Sequence, residues 1–516
     1  MKHLTKSVAF LALAALCTPA IQAKTAATDS LVNNYMRSSI YTVLVSSKKQ
    51  NARYEEEAKN ANNAANADMI MGTVKAFANT DAKKAANETE SDIFGLPAKL
   101  FPSIEIPAQF NDHNLADRVI DFDAIRATVT DAEKDKYNPQ TKNQKAGAFA
   151  KGLAGGLMGA ASGKEESSML KTDEVDEYLP AVLHKYFEQN HTAANLLGKW
   201  YNYDQANEQH WNIDLIADRG NYNFNKEDLQ RAAQDQAIAN KIADTQFNMI
   251  NNTFVVALNL RFRSYQAVVQ EAAAMAKAAG SMFGGIGSLA ASAASSIATA
   301  AAGDGYTVQA VSHLYKLKWN EDLNQKFAVD MFEKNASMDD LIKSGMCELE
   351  FVGKEKASAN VRQSLLSDKP FSDLVKRATT RAIDAAIAKL QAKNEVFRTV
   401  TPIIGGDGNG IIYAAIGTKE GLNEKDEYEI LEAQEDANGK TTYKSVGSVK
   451  PVKGKIWNNV YGAEEEVAEN KAKAEAKGKE AKDKDFNEDA VALGHTEFKG
   501  KKGDYTGYFL RLKKKK

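Results

Sequence analysis

The residues able to carry chemistry are few and scattered. After residue 23 the histidines stand at 113, 184, 191, 210, 313 and 495. Metal ligation needs His, Cys, Asp or Glu converging at ligand spacing. The tightest set is His184, Glu188 and His191, which only a helix unbroken from 184 to 191 aligns. Their His-x3-Glu-x2-His pattern matches no established zinc motif, and surface or core histidines are the alternative. His-Glu-x-x-His, paired Cys-x-x-Cys and EF-hand patterns do not occur. Acid–base work has two candidate pairs, Asp112 with His113 and Asp214 with Asp218, of a kind that polar loops contain routinely. No Gly-x-Ser-x-Gly elbow is present. Cys347 has no His-Asn constellation in view and reads as a small core residue. The loop from Gly405 to Gly410 lacks the Gly-Lys-Ser/Thr of a phosphate loop and runs into Ile411-Ile412-Tyr413, so it reads as a flexible interdomain turn. Lys499, Lys501, Lys502 and Lys513 to Lys516 form a basic end near Tyr505, Tyr508 and Phe509. That end is either a grip for a polyanion or a solubilising tail on an edge strand. No catalytic residue, cofactor or metal is expected on these grounds.

The elements that must position such residues follow from composition and pattern. The 516 residues carry 66 basic and 68 acidic side chains, a net −2, so no global field favours nucleic acid and none is expected as a partner. Hydrophobic residues at 43% are ordinary for a globular chain and exclude a wholly disordered or polytopic membrane protein. Two cysteines exclude a disulfide scaffold. Domains of roughly 100–200 residues imply about two to four of them.

Residues 1–23 read as a secretory signal: Lys2, His3 and Lys6, then Val8 to Leu16, Pro19 and a small Ala23 before Lys24. A buried N-terminal helix and lipidation at Cys17 are the rival readings. Such a leader implies export from the cytoplasm.

Residues 24–145 read as an N-terminal α+β region, with a strand at Ile40 to Val45, an Ala/Asn/Lys/Glu-rich helical stretch after Lys48, an extended Phe94 to Phe110 and a strand at Val119 to Ile125. Residues 164–400 read as a central α+β domain. Its helix at Tyr178 to Trp200 precedes the strand 254–262, where Phe254, Val256, Leu258, Leu260 and Phe262 alternate with residues ending in Arg261 and Arg263. That alternation predicts one buried and one solvent-facing side. A partner strand is expected at 313–319, and an amphipathic helix capped by Ser372 over 372–398. Residues 401–516 read as a β-rich module with strands at 411–416, 428–431, 443–449 and 505–512. Asn438-Gly439 is its hairpin turn, Gly417 and Gly421 suit positive φ, and the charged insertion 464–489 stays outside the core. The predicted fold class is α+β, multidomain, with mixed helices, antiparallel strands and a C-terminal small barrel-like module.

Two segments of small residues interrupt this plan, 146–163 and an Ala/Gly/Ser insertion at 272–303. Gly155, Gly159 and Gly163 recur every four residues, as do Gly152 with Gly156, and Gly280, Gly284 and Ser288. On a helix each set strips bulk from one face and lets another backbone approach closely. A soluble helix pair, a flexible insertion and a membrane-entering or oligomerising hairpin all remain open.

The segment Ile416-Gly417-Thr418-Lys419-Glu420-Gly421-Leu422, with Asp426 and Tyr428-Glu429-Ile430, resembles a recurrent turn of small β-barrel modules in bacterial envelope proteins. Together with Arg219-Gly220-Asn221-Tyr222 and Thr253-Phe254-Val255-Val256, it is similar to uncharacterised secreted proteins of Bacteroides-type bacteria. With the export signal, the resemblance implies an envelope setting, the periplasm, outer membrane or cell surface of a Gram-negative bacterium, and it transfers no catalytic residue. The reading that follows is a non-catalytic exported envelope protein acting through binding or assembly, with a protein partner or self-association and possible membrane contact. A membrane-active or pore-forming protein is the alternative, and a periplasmic hydrolase the second.

Overall fold

The structure, a computed structural model, describes residues 37–63, 93–138, 174–220, 247–264, 267–268, 305–362, 370–435, 441–476 and 488–515. The described residues are α+β, a six-stranded sheet between helices followed by a closed six-stranded barrel. The Gly152–Gly163 and Gly280–Ser288 sets and the Asn438-Gly439 turn lie outside them. Among the described residues no helix is long and apolar enough to cross a membrane.

The β-branched and aromatic run of β1 (Ser39–Ser46) forms the heart of the sheet. One edge of β1 carries the short parallel strands β2 (Asn111–Asp112) and β3 (Val119–Asp121), and the other carries β4 (Thr253–Ser264), also parallel. Beyond it β5 (Gly305–Leu317) and β6 (Leu349–Arg362) continue antiparallel. The sheet therefore takes strands from both sides of 146–163. Among the described residues β2 and β3 give β1 only two- and three-residue pairings, and β4 supplies a long one.

Around the sheet lie α1 (Lys48–Asn63), α2 (Leu96–Leu100), α3 (Phe122–Arg126), α4 (Asp131–Tyr137), α5 (Glu174–Gln189), α6 (Thr192–Trp200), α7 (Asp214–Gly220), α8 (Glu321–Phe327), α9 (Met338–Lys343) and α10 (Phe371–Lys393). Strand alternation sends Ile40, Leu44, Phe254, Val256 and Leu314 to one face, against Val375, Ala382, Ile387 and Leu390 of α10. Tyr41, Val43, Val45, Val255 and Ala257 go to the other face, against Leu179, Val182 and Leu183 of α5. Truncating a buried contact such as Leu390 to Ala is expected to cost about 2–5 kcal/mol.

Several expectations change. All twelve residues of β4 are buried, not one side alone. Its polar alternates meet partners from α1 and α5. Asn259 Nδ2 donates to Gln50 Oε1 at 3.0 Å, Arg261 pairs with Asp176 at 2.6 Å and Arg263 with Glu57 at 2.7 Å. Phe94 to Phe110 is not simply extended, because Pro97 and Pro102 sit in the first turns of α2 and of a 3-10 turn, where their missing N–H groups cost nothing. The strand at 119 gives way to helix at Phe122, since the Asp121 carboxylate accepts the Ala124 N–H and caps α3. Ser372 is not the cap of α10, which begins at Phe371 after Pro370 and has no side-chain cap.

In the barrel β7 (Val400–Gly406), β8 (Ile411–Ala414), β9 (Glu427–Glu435), β10 (Thr441–Pro451), β11 (Thr496–Lys499) and β12 (Phe509–Lys514) close in the order β10-β11-β8-β7-β12-β9. Ile412, Tyr428, Ile430, Val449, Phe498 and Leu510 fill it. The Gly405–Gly410 loop is a hairpin turn inside this barrel, not an interdomain turn. Asp407 Oδ1 accepts the Asn409 and Ile411 N–H groups at 2.8 and 2.9 Å, which holds its carboxyl below the usual range. The charged stretch after 463 forms α11 (Ala463–Ala476), and α12 (Glu488–Ala492) follows. Far from being merely solvated, α11 is tied to α10 by Arg377 with Glu465 and Glu469, at 3.2 and 3.3 Å, and by Arg381 with Glu466 at 2.7 Å.

Candidate functional site

The link from β8 to β9 holds the Gly417–Gly421 turn, whose residues are fixed by the segment 457–459. Thr418 N–H donates to Trp457 O at 3.0 Å, and Lys419 N–H to Asn459 Oδ1 at 2.8 Å. Glu420 Oε2 accepts from Gly417 N–H at 2.7 Å and from Asn459 Nδ2 at 2.8 Å. Gly421, at φ 71°, ends the 3-10 turn in the left-handed region that favours glycine. Trp457 Nε1 donates to Val491 O at 3.1 Å, so its N–H is spent and its ring is left as carbon surface.

This turn walls a cleft of about 590 Å³, within the range of ligand sites. Arg37, Ala108 and Gln109 of the sheet unit line one side, and Ile404, Ile416, Trp457, Asn458 and Val460 of the barrel the other, with Glu464 at the start of α11. Ile404 sits where the β7–β8 register shifts and is 42% exposed, an apolar side chain turned out of the barrel.

Behind the cleft wall α10 presents a second face. Arg377, Arg381, Asp384 and Ala388 recur at helical spacing opposite the apolar stripe. Asp384 is 7% exposed, its Oδ2 has no hydrogen bond, and Lys419 Nζ lies 4.0 Å away. Burial pushes this carboxyl up to about 7, with Lys419 opposing the rise and Glu420 adding to it. The titratable groups of the cleft are thus largely engaged: Lys419 beside Asp384, Glu465 on Arg377, and Glu420 on two N–H donors.

The residues singled out from sequence are not brought together here. His113 is fully buried and stacked on Trp200 at 4.7 Å. Its Nε2 donates to Leu196 O at 3.0 Å while Nδ1 accepts from Arg219 at 3.0 Å, so neither nitrogen is open to a substrate. Burial, reinforced by Arg219, holds it down to about 3. Asp214 and Asp218 are exposed on α7. His184 pairs with Glu188 at 3.0 Å, but α5 ends at Gln189 and His191 adopts φ 47°, which breaks the one helix that would align them. Among the described residues no cluster of His, Cys, Asp and Glu forms a metal site. Burial pushes the Cys347 thiol up to about 12, away from nucleophilic thiolate. The lysines at the end are partly spent: Lys513 on Glu427 at 2.9 Å and Lys515 on the buried Asp426 at 2.7 Å.

Trp457, Asn458 and Asp384 were not singled out from sequence. The one signal pointing to them was the Ile416–Leu422 motif, which touches all three regions. Comparisons with family models, with curated proteins and with solved structures find no match for this chain.

Proposed function

We propose that the chain is an exported cell-envelope protein that acts by binding or assembly rather than catalysis, with the cleft between sheet unit and barrel as its contact site. The supporting observation is the make-up of that cleft. Carbon surface from the half-buried Trp457 and the exposed Ile404 adjoins the amides of Gln109 and Asn458, whereas Glu420 and Glu465 are engaged in holding the walls. An apolar surface with a few fixed polar groups suits recognition. Self-association through the glycine faces at 155–163 and 280–288 is part of the proposal, and a membrane is a further possible contact.

A photo-crosslinking residue placed at Asn458 in the producing cell tests the contact site, with Lys326 on exposed α8 as the control. An adduct of defined mass in the envelope fraction is expected from position 458, reduced by Trp457→Ala and absent from position 326. Equal labelling at both positions, or none at 458, overturns the assignment. Gly159→Leu and Gly284→Leu should weaken self-association in sedimentation, and Ala160→Leu should not.

A further inference from the structure

The second face of α10 is an interface made almost wholly of polar groups. Arg381 Nε donates to Tyr461 O at 2.9 Å, and Arg377 and Arg381 hold Glu465, Glu466 and Glu469 of α11. Ala388 abuts the turn so closely that a Cβ on Gly421 would lie 3.2 Å from its own. Between these contacts sits Asp384, buried, with Thr380 one turn away and its buried Oγ1 also without a hydrogen bond. The groups facing Asp384 are Lys419 and Glu420 of the turn, and farther along α10 Arg377 and Arg381 with Glu465, Glu466 and Glu469 of α11. Lys419, at 4.0 Å, is too distant to hydrogen-bond the carboxylate.

We propose that the contact of α10 with the Thr418–Gly421 turn and with α11 is a releasable latch, closed while Asp384 carries a proton and loosened when it ionises, so that the cleft opens between the sheet unit and the barrel. An ionised carboxylate with one oxygen, Oδ2, sealed from water without a hydrogen bond is costly, and separating the two surfaces returns it to solvent. In the closed state the group titrates near 7, and in water near its ordinary 3.8. Closing therefore takes up a proton. The closing constant falls as pH rises between about 4 and about 7, by up to about tenfold per pH unit, and is flat above that window. The arginine–glutamate pairs answer to salt instead, a separate handle on the same contact.

The test uses the full chain with Cys17→Ser and Cys347→Ser, spin-labelled at Lys326→Cys and Lys444→Cys, two exposed positions in the sheet unit and the barrel. At pH 5.5 one narrow distance population is expected. At pH 8 a longer, broader one should join it. Asp384→Asn, which has no charge to bury, should keep the narrow population at both pH values. Lys419→Met should enlarge the longer population at pH 8, because the ionised carboxylate loses its nearest cation. An unchanged wild-type distribution between pH 5.5 and 8 overturns the latch, as does a pH response that survives in Asp384→Asn. The purified chain is measured without a partner, so the result is independent of what the cleft binds.

Discussion

Gly417 and Trp457 meet backbone to backbone. A Cβ on Gly417 would lie 2.1 Å from the Trp457 carbonyl oxygen and 2.7 Å from Asn459 Oδ1. The two residues form an isolated parallel bridge, continued by the Thr418 N–H bond to the same carbonyl. At φ −157° the backbone of Gly417 is outside the left-handed region, so positive φ is not the reason for glycine here. Space is the reason, and only Gly421 of the pair needs the left-handed region.

Gly417→Ala should therefore push the turn away from segment 457–459 and destabilise the barrel by about 1–3 kcal/mol, the usual cost of overpacking. Gly405→Ala is the control, since a Cβ there meets Tyr413 Cδ2 at an ordinary 3.5 Å. Urea unfolding of the full chain, followed by the barrel transition, should separate the two. Equal midpoints would show that the turn yields freely.

Two buried histidines set an acid limit on stability. His113 and His313 are each held down to about 3, chiefly by burial, against an ordinary 6.5. Their contribution is full above 6.5 and is lost as pH falls towards about 3, because the unfolded chain takes up the protons first. Each adds up to about 1.4 kcal/mol per pH unit to the slope in that window. His313 has no hydrogen bond at either ring nitrogen, so His313→Leu should remove its share of the slope at little cost. Unfolding free energies between pH 7.5 and 4.5 check this. A variant with the wild-type slope would mean that His313 titrates normally.

The fold was partly legible in the sequence because alternation reports which residues share a face. It does not report whether the polar face meets water. Asn259, Arg261 and Arg263 read as solvent-facing, yet their partners Gln50, Asp176 and Glu57 come from distant helices with no local sign of the pairing. β6 went unread because Lys354, Glu355 and Lys356 interrupt its apolar pattern. An edge strand tolerates such residues, since one side of it borders solvent. The apolar stripe of α10 was legible; its polar stripe looked like any solvated helix face. The cleft is assembled from residues 37, 109, 404 and 457, and spacing along the chain carries no trace of that meeting.

A fragment beginning at residue 398 should unfold cooperatively, since the barrel closes on itself through the β9–β10 pairing. Starting instead at 403 removes Val400, Thr401 and Pro402, the three β7 residues that pair with β12. That shorter fragment should lose its sharp transition and become protease-sensitive. Circular dichroism melts of the two decide the matter, and identical melts would show that β7 is dispensable for closure.

Asp176 is a buried carboxylate paired with two cations in the sheet unit. Its carboxylate receives Arg261 Nη2 at 2.6 Å and Lys356 Nζ at 3.2 Å, on the face of the sheet covered by α5. Arg261 is almost wholly buried, so Asp176→Leu leaves a guanidinium in a dry site without that counter-charge. Breaking one side of a buried pair typically costs about 3–5 kcal/mol. Lys356, more exposed and on a flexible stem, can turn its ammonium outwards. Adding Arg261→Met to Asp176→Leu should therefore recover most of the loss, because both buried charges are then gone while the volume is kept. Chemical unfolding of the two variants measures the difference directly. A single variant within about 1 kcal/mol of wild type would show that the pair adds little to the fold, and a double variant no better than the single would place the cost in packing rather than charge.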